Sequence, residues 1–180
     1  MLQKFKRFSA KKPVEVFLKG NRPEEISGDK VGIILDLDLM DREFSLGDFR
    51  KEMAFPYETF YPIVCSEQKP IPEKYSLEEF DAKHLDWNAT FEIGSKEQLF
   101  QETSFGLLLN YFVEPSPELL ILSASVKARL KVGFPLEEKR LNDLEIKVDP
   151  KDYKLFALEL KKYLAVIDWT LEPQIKKENR

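Results

Sequence analysis

Apolar and polar positions alternate in short stretches along most of the chain, and Pro, Gly, Asn and Asp punctuate them. Val14, Val16 and Leu18 fall on one side of a strand predicted over 13–18, although Phe17 breaks the alternation. The strongest buried-strand pattern spans 30–39, where the continuous apolar run Val31–Leu35 passes into alternating Asp and Leu. Further strands are predicted at 44–49, 61–66, 87–93 and 105–113. Another spans 118–132 beyond Glu-Pro-Ser-Pro, and a last one 142–148, where Leu144, Ile146 and Val148 alternate. Helical signals are fewer. Ser76 with Glu79 and Ser95 with Gln98 have the capping-box spacing and predict short helices over 76–84 and 95–103. Asp149 as N-cap and Pro150 at the first helical position predict a third helix, whose apolar stripe is Phe156, Ala157, Leu160, Tyr163, Leu164 and Ile167.

Many short strands at turn-punctuated spacing, closed by one helix, predict a mainly β, α+β fold. The expectation is an antiparallel β-barrel or strongly curved sheet, with a C-terminal helix and a small helical insertion. A doubly wound parallel fold needs a helix between most strands, and the pattern shows none in the first half of the chain. The expected organisation is a single domain over 1–175 with an insertion at 50–104.

Composition narrows the function classes. A hydrophobic fraction of 43% with 14 Phe excludes global disorder. One Cys precludes an internal disulfide, and one His removes most zinc sites and most histidine-based catalysis. Neither an apolar run long enough for a signal peptide nor one for a membrane span occurs, so a cytoplasmic location is expected. Net charge is −4 but uneven, since Lys4, Lys6, Arg7, Lys11 and Lys12 give residues 1–12 five cations and no acid. That segment reads as a flexible basic arm, either solvated or gripping an anion, while a whole-chain nucleic-acid coat is not expected.

The conspicuous chemical cluster is Asp36, Asp38 and Asp41. Two Asp at i, i+2 on a strand share a face and are suited to a divalent cation. The same alternation is met without a ligand by Leu35, Leu37 and Leu39 facing inward and the acids outward. His84, flanked by Glu79, Asp81 and Asp86, reads as a general base or as a surface helix histidine. Cys65, within apolar Tyr-Pro-Ile-Val-Cys, reads as a small buried hydrophobe. No phosphate-binding glycine loop, zinc-protease motif or nucleophile elbow is present. An apolar strand running into Asp-x-Asp is similar to the opening of the haloacid-dehalogenase phosphatases, with Leu120–Ser123 in the place of their second motif, but no apolar strand ending in paired Asp follows.

Taken together, the basic arm and the acidic cluster resemble a degenerate PilZ domain. Arg7 and Lys11 stand at the two positions of that family's R-x-x-x-R arm. Asp36, Asp38 and Asp41 stand at the three marked positions of its [DN]-x-S-x-x-G strand, and a closing apolar strand and helix follow. The resemblance implies a small β-barrel that binds cyclic di-GMP through Arg7, Lys11, Lys12, Asp36, Asp38 and Asp41, and passes the signal to partner proteins. Lys in place of the second Arg and Asp in place of Ser and Gly depart from the motif, removing a bidentate fork and adding negative charge beside a phosphate ligand. The resulting expectation is a non-catalytic regulatory or interaction module without a cofactor. Its partner surface would lie in 50–104, where Phe55, Tyr57, Phe60 and Tyr61 cluster, unless those aromatics cover a second small core. The alternatives are a metal-dependent enzyme using Asp36, Asp38 and Asp41, a protein-binding adaptor with no small-molecule ligand, and a binder of membrane or nucleic acid through the basic arm.

Overall fold

The computed structural model describes residues 12–20, 29–41, 43–86 and 88–167, without the Tyr57 side chain. Arg7, Lys11, most of the basic arm, Trp87 and the C-terminal tail lie outside the described residues. Five strands form one sheet: β1 (Val31–Asp36), β2 (Phe60–Cys65), β3 (Ser104–Tyr111), β4 (Lys127–Gly133) and the two-residue β5 (Leu144–Glu145). Every pairing is parallel, in the order β2-β1-β3-β4-β5. Val31 stands opposite Phe60 on one side and Leu107 on the other, so β1 is hydrogen-bonded along both edges. Residues 31–35 and 105–111 are buried, the near-continuous apolar run expected of strands covered on both faces.

Helices cover both faces. One face carries α2 (Leu46–Met53) and α5 (Tyr153–Val166), which touch each other, and its core joins Phe49, Met53, Tyr111, Phe134 and Phe156. The other carries α1 (residues 12–20), α3 (Lys96–Glu102) and α4 (Pro117–Ser125) over Val14, Phe100, Phe105, Leu108 and Leu122. Chain order runs β1-α2-β2, β2-α3-β3 and β3-α4-β4, so each of these parallel crossovers contains a helix, as it must to return to the same end of the sheet.

The antiparallel barrel or curved sheet expected from periodicity, and the small β-barrel implied by the PilZ resemblance, are therefore corrected: the sheet is open, all-parallel and doubly wound. Three segments read as strands account for the error. At 118–132 the apolar run is a helix followed by a strand. Ser116 caps α4 by accepting from Leu119 N, Pro117 occupies its first turn, and the helix is apolar nearly all round because it is buried. A helix of that kind has no polar face to betray its period. At 44–49, Ser45 caps α2, and Phe49 and Met53 are its buried stripe. At 13–18 the residue that broke the alternation was the signal, since Val14, Phe17 and Leu18 have i, i+3, i+4 spacing and pack on the core. The expected helix over 76–84 is instead two short 3-10 turns, Glu73–Tyr75 and Ala82–His84, joined by residues that run beside β2, where Val64 N donates to Glu78 O and Phe80 N to Val64 O. The strand predicted at 87–93 is reduced to one bridge, Leu85 to Phe91. The last helix is capped by Asp152 rather than Asp149.

Candidate functional site

In a doubly wound sheet of this strand order, the connection from β1 turns one way to β2 while β3 lies on the other side. The crevice outside the carboxyl ends of β1 and β3 is where such folds place their ligands. The chain puts its acidic pair there. Asp36 is the last residue of β1, and Asp38 lies in the 3-10 turn Leu37–Leu39 that follows. They are therefore not two acids on one strand face: Asp36 caps the turn by accepting from Asp38 N at 2.9 Å.

Both oxygens of Asp38 are engaged by the segment that leaves β2. The Ser66 hydroxyl donates to Oδ1 at 2.7 Å, while Glu67 N and Gln68 N donate to Oδ2 at 2.7 and 2.9 Å. The Lys69 ammonium then reaches back to the carbonyls of Asp38 and Met40 at 3.2 and 3.1 Å. Burial pushes the Asp38 carboxyl up, but these donors together with Lys69 outweigh it and hold the group below the usual carboxylate range. Asp36 moves the other way. Burial raises it, the negative charges of Asp38 and Glu67 add to the rise, and the Asp38 N–H opposes it. Cys65, beside them at the end of β2, lies 3.6 Å through Sγ from Leu35 O, and burial, with those same acids, pushes its thiol well up. It is the buried thiol that the sequence indicated, not an activated nucleophile.

Asp41 stands apart from this clamp, exposed and capping its own turn by accepting from Glu43 N. Among the described residues no group of three or more His, Cys, Asp or Glu is disposed to hold a metal ion. Lys12 is exposed at the start of α1, on the sheet face opposite α2 and α5, where Glu15 of that helix pairs with Arg140 in the loop between β4 and β5. Arg7 and Lys11 lie outside the described residues. At the end of β3, the Tyr111 hydroxyl donates to Pro150 O at 2.8 Å, and its ring packs edge-on against Phe49, Phe134 and Phe156. Burial raises the Tyr111 phenol far above its ordinary value. Within 50–104, Phe55 and Phe60 stack on one another against the core, while Tyr61 remains exposed over Phe105.

Two polar clusters were not assembled by sequence reasoning. His84 Nδ1 lies 2.7 Å from Oε2 of Glu97, a fully buried carboxylate whose Oε1 accepts from Asp81 N. That hydrogen bond raises the imidazole above its ordinary value against the effect of burial, helped by the charges of Glu97, Asp81 and Glu92. Under α4, the buried Asn110 of β3 accepts from the Ser123 hydroxyl at 2.8 Å and donates to Asn142 at 2.7 Å, and Asn142 donates on to Phe134 O. Lys131 of β4 lies beside them, its ammonium 2.6 Å from Ser123 O, and burial lowers it to about 8. The one trace of this knot in the sequence is a polar residue interrupting Leu107–Phe112. Nothing local marks its partners, which stand 13 and 32 positions away.

The family of unknown function DUF6913 matches residues 6–167, and the chain belongs to it. No curated protein and no solved structure matches. Among the described residues no helix is long and apolar enough to cross a membrane.

Proposed function

We propose that this member of the DUF6913 family is a non-catalytic regulatory or interaction module built on a doubly wound scaffold. The observation that supports this reading is the clamp at the carboxyl end of β1. In folds of this strand order that end is where a ligand sits, and here Asp38 spends both oxygens on Ser66, Glu67 and Gln68. On this reading Asp38 serves to fix the segment after β2 against the end of β1, and the work of the domain falls to its surface. The reaction of the chain to Mg²⁺, Mn²⁺ and Ca²⁺, followed by thermal unfolding of the full-length protein, tests this. Anything bound to the native state raises Tm, and the reading expects no rise with any of the three. A rise that Asp36→Asn abolishes would overturn it in favour of a metal-dependent site.

The same titration with cyclic di-GMP tests the ligand implied by the PilZ resemblance. A rise lost in Arg7→Ala/Lys11→Ala would make the module a nucleotide-responsive one acting through its N-terminal arm. No rise would leave it an adaptor that binds macromolecules only.

A further inference from the structure

The 3-10 turn Ala82–His84 is fastened to the start of α3 through one carboxylate. Glu97 stands in the first turn of α3 and is fully buried, and both of its oxygens are taken by the turn and its cap. Oε1 accepts from Asp81 N at 2.8 Å, and Oε2 lies 2.7 Å from His84 Nδ1. The carboxylate of Asp81 caps the turn in its own right by accepting from Lys83 N. The main chain of His84 reaches the other way, its carbonyl accepting from Glu92 N at 2.7 Å. One residue therefore holds the returning chain by its backbone and α3 by its ring.

The charges that act most on that ring are acidic. Glu97 faces it from α3, Asp81 from the cap of its own turn and Glu92 from the returning chain. The lysines next to this pair in the chain, Lys83 and Lys96, make no ion pair with any of the three. A carboxylate fully out of water is tolerated where it is both hydrogen-bonded and paired with a cation. A charged imidazole supplies both to Glu97. A neutral one still donates through Nδ1, yet leaves the buried charge uncompensated with Asp81 and Glu92 beside it. The imidazole side chain keeps 31% of its exposure, so its proton exchanges directly with water while the carboxylate beneath stays dry.

We infer that the turn Ala82–His84 is a proton-operated latch, held tight against α3 while His84 is charged and loosened when His84 gives up its proton. The hydrogen bond to Glu97 moves the imidazole above its ordinary 6.5, so the latch closes in mild acid and slackens toward alkaline pH. The clamp at the end of β1 takes no part, so the inference stands independently of the function proposed above.

Hydrogen exchange of the full chain, read residue by residue and corrected for the intrinsic rate at each pH, tests it. Protection of the Asp81 and Glu92 amides is expected to fall severalfold as pH climbs from below 6.5 to well above it, while that of Leu107–Leu109 in β3 does not change. His84→Gln can neither gain nor lose the proton, and Glu97→Gln leaves no buried charge to compensate. In either variant the protection of the two amides is expected to be independent of pH. Constant protection in the wild type would overturn the inference. So would an equal fall throughout β3, which is loosening of the whole domain, or a wild-type fall retained in Glu97→Gln. The wild-type comparison between the turn and β3 decides the matter even if a variant folds poorly.

Discussion

At the end of β1, Asp38 bonds a solvent-facing loop. Under α4, Asn110, Ser123 and Asn142 close on one another with almost no access to water. Both clusters join segments far apart in sequence, and both satisfy their hydrogen bonds, yet the consequences of breaking them differ. A group that loses its partner in the clamp is rehydrated. A group that loses its partner in the knot stays in the core and keeps its full desolvation penalty. The comparison separates a polar cluster that positions a loop from one that dictates how α4 and the loop after β4 sit on the sheet.

The sharpest way to break the knot is to crowd it. Gly133 is the β4 residue opposite Asn110, and a Cβ placed there would stand 2.6 Å from Asn110 O and 2.7 Å from Asn142 Nδ2. Backbone on a central strand cannot retreat, so Gly133→Ala is expected to cost about 3 kcal/mol. Urea denaturation reads this as a lower midpoint with an unchanged slope, and a midpoint like that of the wild type would show that the knot is slack.

Removing the centre of the knot comes next. Asn110→Ala leaves the Ser123 hydroxyl and the Asn142 amide without their shared partner in a dry site, and about 2 kcal/mol is expected to be lost. Asp38→Ala removes three hydrogen bonds rather than two, yet is expected to cost about 1 kcal/mol, because water replaces the carboxylate for Ser66, Glu67 and Gln68. Equal losses in the two variants, measured by the same denaturation, would erase the distinction between them. Hydrogen exchange gives a second reading. Asp38→Ala should speed exchange at Glu67 and Gln68 alone, whereas Asn110→Ala should speed it across α4 and β4.

How far the sequence reveals these arrangements follows from the range of each interaction. β1, β2, β3 and α3 were legible because local information suffices for them: an unbroken apolar run for the strands, and Ser95 accepting from Gln98 N for the helix. The parallel order was not legible, because α4 hides its period within the core and α2 is only 8 residues long. With two crossover helices unrecognised, the strands were read as antiparallel. The acidic pair at the candidate site stood out by composition, but its hydrogen-bond partners did not, because Ser66 and Lys69 lie about thirty positions away. Arg7 and Lys11 fall outside the described residues, so the arm is carried by sequence reasoning alone.

The pair between His84 and Glu97 stands between the two extremes: the carboxylate is fully buried, and the imidazole side chain keeps 31% of its exposure. It therefore offers the finest test of the comparison, through pH rather than deletion. The hydrogen bond that His84 donates to Glu97 raises the folded-state value of the imidazole above its ordinary 6.5. A group raised in the folded state binds its proton more tightly there than in the unfolded chain. Its contribution is then complete below 6.5 and is lost as pH climbs through the raised value. The stability difference between wild type and His84→Gln is accordingly expected to be largest in mild acid and to shrink toward alkaline pH. The change should be smaller than either deletion above, because the imidazole is partly solvated. Asp38→Ala should show the opposite trend at the acid end. Its carboxyl lies below the ordinary range, so the difference from wild type should vanish only as pH falls through that lowered value. Thermal melts of the three proteins across the pH range measure both trends together. A His84→Gln difference that stays constant with pH would mean that the imidazole holds Glu97 through its shape and neutral hydrogen bond rather than through its charge.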